Sequence, residues 1–359
     1  MLAQPYKILV VGPSWVGDMV MAQSLFIALK QEYPDCQIDV LAPTWSLPLL
    51  ARMPEVHKGL AMPLGHGQFD LRGRMRIGRD LQSHHYLQAI VLPNSWKSAL
   101  IPFFAQIPKR TGFIGEFRRG LLNDVRTLNK SLLTMTVQRF VALGLPAAAP
   151  QPATYAFPKL TITTEQQLAV CRKFEISGAD LIEIPPPSAL LDDTHQIRPI
   201  VSKILALCPG AEYGPAKRWP VEHYAAVARR KEEQGWQVWL FGSDKDKAIA
   251  EQINDLSGGI CRNFAGITSL ADAVDLLSLA DAVVSNDSGL MHVAAALDKK
   301  LVAVYGSSDP GFTPPLHSKA QILDLHLDCS PCFKRECPLG HTRCLTEIRP
   351  EQVLAALDA

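Results

Sequence analysis

The sequence predicts an α/β protein built from two doubly wound, Rossmann-like domains, and three observations carry the prediction. Its 359 residues exceed what one hydrophobic core comfortably serves, so two domains of ordinary size are expected. Short, continuous apolar runs alternate with helix-period segments along the chain, the pattern of strands covered on both faces by helices. The same strand-loop-helix opening occurs twice, at Lys7-Ile8-Leu9-Val10-Val11-Gly12 and at Ile204-Leu205-Ala206-Leu207-Cys208-Pro209-Gly210.

In the first half, residues 7–12 form a strand ending on glycine, residues 13–18 a loop, and the segment through Leu29 a helix. Residues 37–41 and 89–92 are further buried strands. Proline-rich punctuation at residues 145–152 and at Ile184-Pro185-Pro186-Pro187 encloses residues 160–173, which suit a strand and a helix. The domain boundary is placed here, giving an N-terminal domain with linker at residues 1–185 and a C-terminal domain at 186–359. In the second half the strand at 204–208 leads through a loop to Arg218 and a helix over 220–234. Strands at 237–241, 282–285 and 301–305 follow. Two facing doubly wound domains put the carboxyl ends of both sheets on one interdomain cleft, where open α/β sheets bind ligands, so the active site is expected there.

Composition excludes several classes. Hydrophobic residues at 47% and charged ones at 20% describe a folded globular chain. A formal charge of +1 supplies no whole-protein field for nucleic acid, and none is expected as a partner. The start, Met1-Leu2-Ala3-Gln4-Pro5-Tyr6-Lys7, lacks the pattern of a signal peptide, which predicts a cytoplasmic protein. No apolar run approaches the roughly 20 residues of a membrane span; residues 99–105 are interrupted by Pro102. Membrane contact, if made, is peripheral.

The most informative stretch is Val283-Val284-Ser285-Asn286-Asp287-Ser288-Gly289-Leu290-Met291-His292, where an apolar strand runs through Asp-Ser-Gly into an alanine-rich helix. The first amides of such a helix, with the positive end of its dipole, make an anion site suited to phosphate or pyrophosphate. A helix simply capped by Asp287 or Ser288 is the plainer alternative. No Gly-x-Gly-x-x-Gly or Gly-x-x-x-x-Gly-Lys-Ser/Thr pattern occurs, so dehydrogenase and P-loop functions gain no support. Residues 209–220 offer backbone donors around Gly210 and a Lys217-Arg218 pair beside Trp219; Lys217 could neutralise a phosphate or sit solvated on the surface. Gly242-Ser243-Asp244-Lys245-Asp246 follows a strand, and its carboxylates could accept from ribose hydroxyls or merely start a helix.

Two further clusters stand apart. Lys97, Lys109, Arg110, Arg118, Arg119 and Arg126 bracket the apolar residues 99–105 and 113–117, a combination that suits an anionic membrane face, or else a solvated basic surface over a core containing Phe103 and Phe104. Cys329-x2-Cys332-x4-Cys337-x6-Cys344 has enough thiols for tetrahedral zinc, with Pro331 and Pro338 suited to tight turns; four free thiols are the alternative.

Taken together, Pro13-Ser14-Trp15-Val16-Gly17-Asp18-Met19-Val20, Cys208-Pro209-Gly210-Ala211-Glu212-Tyr213-Gly214-Pro215-Ala216-Lys217-Arg218-Trp219-Pro220 and Asn286-Asp287-Ser288-Gly289-Leu290-Met291-His292 resemble the ADP-heptose:lipopolysaccharide heptosyltransferases. The resemblance implies a GT-B fold and inverting, metal-independent transfer with no cofactor. The second domain would hold ADP-L-glycero-D-manno-heptose and the first the growing inner core. Asp18 falls where the family has its proposed base, and Lys217 where a lysine stabilises the departing ADP. Gly210, Ser288, Gly289 and Leu290 would serve the diphosphate, Asp287 the heptose and Asp246 the ribose. His292 would help place the phosphate or pack the helix. Ser14, Trp15, Lys97, Arg118, Arg119 and Arg126 would meet the acceptor. The expected activity adds the second heptose, onto heptosyl-Kdo2-lipid A, from a monomer at the cytoplasmic face of the inner membrane. A different core acceptor, an ADP-sugar-binding protein without transfer, and a sugar-nucleotide epimerase are the competing expectations.

Overall fold

The computed structural model describes residues 5–65, 69–176, 182–183, 197–198 and 202–359. The chain separates into two compact units, Met1–Lys159 and Leu160–Ala359. The boundary expected at 185/186, the Ile184-Pro185-Pro186-Pro187 punctuation and the first four residues lie outside the described residues. The division at Lys159 comes earlier than the sequence suggests because the helix at Thr164–Lys173 packs within the second unit. Gln167 Nε2 donates to Ser278 Oγ at 2.9 Å, Lys173 Nζ meets Asp272 Oδ2 at 2.7 Å, and Phe174 packs edge-on against Phe264.

In the first unit six strands, β1 Lys7–Val11, β2 Gln37–Pro43, β3 Val56–Met62, β4 Gln88–Val91, β5 Lys109–Phe113 and β6 Asp124–Arg126, form one sheet in the order β3-β2-β1-β4-β5-β6. All five pairings are parallel. Helices α1 Val16–Glu32, α2 Leu47–Leu50, α3 Leu71–Leu81, α4 Leu100–Phe104 and α5 Thr136–Gly144 make the connections. β1 and β4 lie at the centre and are buried almost throughout, which is why they are the continuous apolar runs of the sequence. α1 packs on α5 so closely that a Cβ on Gly144 would stand 2.3 Å from Leu25 Cδ1.

The second unit repeats the plan. It begins with α6 Thr164–Lys173, whose Thr163 side chain caps the first turn reciprocally with Gln166, and with the short antiparallel pair β7 Ile182–Glu183 and β8 Ile197–Arg198. Leu160, expected to open a strand, instead donates its amide to Ala296 O at 2.9 Å. Strands β9 Ile204–Cys208, β10 Gln237–Leu240, β11 Arg262–Asn263, β12 Ala282–Asn286, β13 Lys300–Val304 and β14 Gln321–Leu323 form the second sheet, ordered β11-β10-β9-β12-β13-β14 and again wholly parallel. Helices α7 Val221–Glu233, α8 Lys247–Ser257, α9 Leu270–Leu277, α10 Gly289–Ala296, α11 Arg343–Thr346 and α12 Pro350–Asp358 complete it. Its core gathers Leu205, Leu207, Trp219, Tyr224, Val284 and Val304.

Candidate active site

Both sheets have the order in which the chain reverses direction of growth between the first strand and the fourth, and ligands of open α/β sheets bind outside the carboxyl ends at that switch point. In the first unit the switch lies between β1 and β4, and in the second between β9 and β12. The Asp18 loop follows β1, the Lys217 loop follows β9 and the Asp287 turn follows β12. Topology therefore delivers each expected residue to the edge where a doubly wound sheet does chemistry.

In the second unit the two loops are brought into contact. Lys217 Nζ lies 2.5 Å from Asp287 Oδ2, with both side chains largely buried. Its ammonium also stands 5.2 Å from the centre of the Tyr213 ring, whose hydroxyl is fixed by donation to Phe333 O at 2.7 Å. The lysine is thus a held, largely buried cation and not a solvated one.

Asn286, one residue before the turn and fully buried, does the holding. Its Oδ1 accepts from Trp219 N and from Tyr224 OH, each at 3.0 Å, while Nδ2 donates to Pro209 O at 2.6 Å. Asn286 lies inside the motif without a role assigned from sequence; a polar pair, Ser285-Asn286, following three apolar residues at a strand's end is the signal that could have found it. Asn286→Ala leaves the Trp219 amide and the Pro209 carbonyl unpaired in a dry site, at roughly 1–3 kcal/mol for each unsatisfied group. Denaturant unfolding is expected to show a loss of about 3 kcal/mol together with weaker ADP binding.

The helix α10 opens on Ser288 as N-cap, and no side-chain cap hydrogen bond is made there among the described residues. Ser288 Oγ turns to Ser285 Oγ at 3.2 Å, and Asp287 is engaged by Lys217. The first-turn amides of Gly289, Leu290 and Met291 thus receive no side-chain cap from Ser288.

His292 follows one turn later and is 4% exposed. Burial is the main cause that drives its pKa down to about 4, with Asp287 opposing and Lys217 reinforcing the shift, so the ring is neutral near pH 7. A group whose folded pKa is depressed below the unfolded 6.5 binds fewer protons when folded. Its stabilising contribution is then full above about pH 6.5 and disappears as pH falls to about 4, a difference of roughly 3 kcal/mol. Urea titrations at pH 7 and pH 4.5 are expected to show this loss, reduced in His292→Asn.

Asp246 is 8% exposed and serves the fold. Its Oδ2 accepts from Ser243 N at 3.0 Å and Ser243 Oγ at 2.7 Å, fastening the short 3-10 turn Asp244–Asp246 that leads into α8, and its Oδ1 stands 3.8 Å from Arg218 Nη2. A Cβ on Gly210 would lie 2.5 Å from the same carboxylate. Gly210 thus lets the β9 loop close over Asp246.

In the first unit Asp18 lies in the first turn of α1, half-buried, among the buried Gly17, Met19 and Val20. Gly12 lets Met19 pack close beneath the loop, since a Cβ there would come within 2.8 Å of Met19 Cε. Ser14 is half-buried and Trp15 is 44% exposed on the same loop. Lys97 lies beyond the neighbouring β4 and is also half-buried. The six cations do not act as one set. Arg118 is 1% exposed, with Nη1 donating to Pro93 O at 2.7 Å and Nη2 to Asn94 Oδ1 at 2.6 Å and to Phe113 O, so it ties the β4 and β5 loops together and presents no surface to an acceptor. Arg126 grips Asp124 at 2.7 and 2.9 Å and lowers that carboxyl's pKa, which occupies it within β6. Lys109 and Arg110 begin β5. Arg119 is exposed on the β5–β6 loop and remains available.

Residues 74–343 match glycosyltransferase family 9 (heptosyltransferase). The chain belongs to that family. Across 98% of its length this family 9 chain is 46% identical to lipopolysaccharide heptosyltransferase 2 of Salmonella typhimurium, covering 97% of it, and 48% identical to lipooligosaccharide heptosyltransferase 2 of Haemophilus ducreyi, covering 98%. Its structure superposes on that of ADP-heptose lipopolysaccharide heptosyltransferase II from E. coli with a TM-score of 0.81 and 42% identity, over 98% of this chain and 97% of the other. The family 9 fold is GT-B, and the chain is a heptosyltransferase of the second type.

Proposed function

We propose that the enzyme transfers L-glycero-D-manno-heptose from ADP-heptose onto the heptose of a heptosyl-Kdo2-lipid A acceptor, with inversion. The observation that carries the donor half is the Lys217–Asp287 pair beside the uncapped start of α10. The acceptor hydroxyl attacks the anomeric carbon, its proton passes to Asp18, and the bond to the diphosphate oxygen breaks in the same displacement. Lys217 and the amides of Gly289 and Leu290 take up the charge gathering on ADP, the work a metal does in other transferases. Asp287 orients Lys217 and lies beside the sugar; His292, being neutral, places the phosphate through hydrogen bonding rather than charge.

Ser14, Trp15, Lys97 and Arg119 are the acceptor candidates that this geometry favours. No helix among the described residues is long and apolar enough to cross a membrane. On this reading the lipid-linked acceptor is met at the cytoplasmic face, and Phe117, 98% exposed two residues from Arg119, suits a peripheral contact there. The test is ADP release from ADP-heptose with heptosyl-Kdo2-lipid A or Kdo2-lipid A, with mass spectrometry of the acceptor. One added heptose on the heptosylated acceptor alone supports the assignment. Gain on Kdo2-lipid A instead means a different core sugar accepts, and ADP binding without release means a binding protein.

A further inference from the structure

We propose that Cys329, Cys332, Cys337 and Cys344 form a four-thiolate site for one divalent ion of the zinc class, and that the filled site holds the Lys217 loop in place. The four side chains line a single cavity together with His341 and Ser307. All four are free thiols and all are half-buried. Between Pro331 and His341 every other residue is exposed; Cys332 and Cys337 alone are drawn in. Phe333 and Leu339, the large apolar residues of this stretch, are 49% and 62% exposed. Residues 324–342 contain neither helix nor strand. Between Pro331 and His341 the interior is sulfur and the large apolar side chains face water, and small irregular elements of this kind are stapled by disulfides or metal.

The chemistry favours metal. The Gly340 amide donates to Cys337 O at 3.1 Å, which closes a tight turn on that cysteine. Among the described residues no three His, Cys, Asp or Glu side chains are yet gathered at ligating distance. Thiolate sites assemble with their ion, and rotating three side chains of an irregular loop toward Cys344 in α11, in a cavity that all four already line, is a small adjustment.

The segment is also the wall of the donor loop. Arg335 O accepts from Ala216 N at 3.0 Å, and Phe333 O accepts from Tyr213 OH at 2.7 Å. A Cβ on Gly214 would come within 2.5 Å of Arg335 O. Phe333 N donates in turn to Ser307 O at 2.7 Å. The turn between Cys332 and Cys337 therefore carries both backbone contacts that seat residues 213–217. The metal assignment stands on the cysteine segment alone; its bearing on Lys217 rests on the donor-site reading above.

Metal content of the full chain, purified reduced and without chelators, is expected to be about one ion per chain. Cobalt(II) added to chelator-stripped protein should give intense sulfur-to-cobalt charge-transfer and tetrahedral ligand-field bands. Cys332→Ser with Cys337→Ser should lose both signals. Stripping should raise the ADP dissociation constant about tenfold and zinc should restore it, because the loop's geometry is set from this segment. Wild-type protein that yields no thiolate bands overturns the site. Thiolate bands with unchanged ADP affinity retain the site and overturn its coupling to Lys217. Bands without any ADP binding overturn the coupling together with the donor reading, and leave the metal site standing.

Discussion

Asp18→Asn is expected to lower turnover by about 10²–10⁴-fold, the range for removing a positioned general base, while the ADP dissociation constant stays within about twofold. The two residues have nearly the same shape, so the first turn of α1 and the buried Gly17, Met19 and Val20 around it keep their packing. What is lost is the lone pair that accepts the hydroxyl proton. An aspartate is a weak base at neutral pH, so its contribution depends on placement at the edge of β1 rather than on basicity. Single-turnover transfer measured beside calorimetric ADP binding separates the steps. Near-normal turnover in Asp18→Asn would remove the base from this position, and a parallel collapse of ADP binding would show that Asp18 acts through the fold.

The central strands were legible because a sheet covered on both faces forces continuous apolar runs, and Lys7–Val11 and Ile204–Cys208 are such runs. β3, β5 and β6 were not. The first two carry His57-Lys58 and Lys109-Arg110, and β6 is three residues long at the sheet's edge, so none shows the buried signature. The same logic divides the site. Lys217 and Asp287 occur in ordered motifs that the sequence singles out, and the fold brings their side chains together. Arg118 misleads because an exposed arginine and one wound into three carbonyl contacts look alike until the β4 and β5 loops are seen to meet around it. Asn286 hides for the opposite reason: its three partners come from Pro209, Trp219 and Tyr224, far away in the chain.

Lys217→Ala is expected to act twice, and a second substitution separates the effects. Removing the cation deprives the departing diphosphate of a preorganised charge, a change worth about 10²–10³ in turnover for one such donor. It also strands Asp287, whose side chain is only 5% exposed. Breaking a buried ion pair from one side costs about 3–5 kcal/mol, and the 17% exposure of Lys217 places this pair at the lower end. Lys217→Ala should therefore unfold at lower denaturant, bind ADP more weakly and turn over slowly. Adding Asp287→Asn removes the uncompensated charge while keeping the side chain's size, so stability should return to within about 1 kcal/mol of the parent. Turnover should not return, because nothing replaces the positive charge at the start of α10. Recovery of turnover along with stability in the double variant would mean that Lys217 only balances Asp287, and the amides of α10 would then carry the leaving group alone.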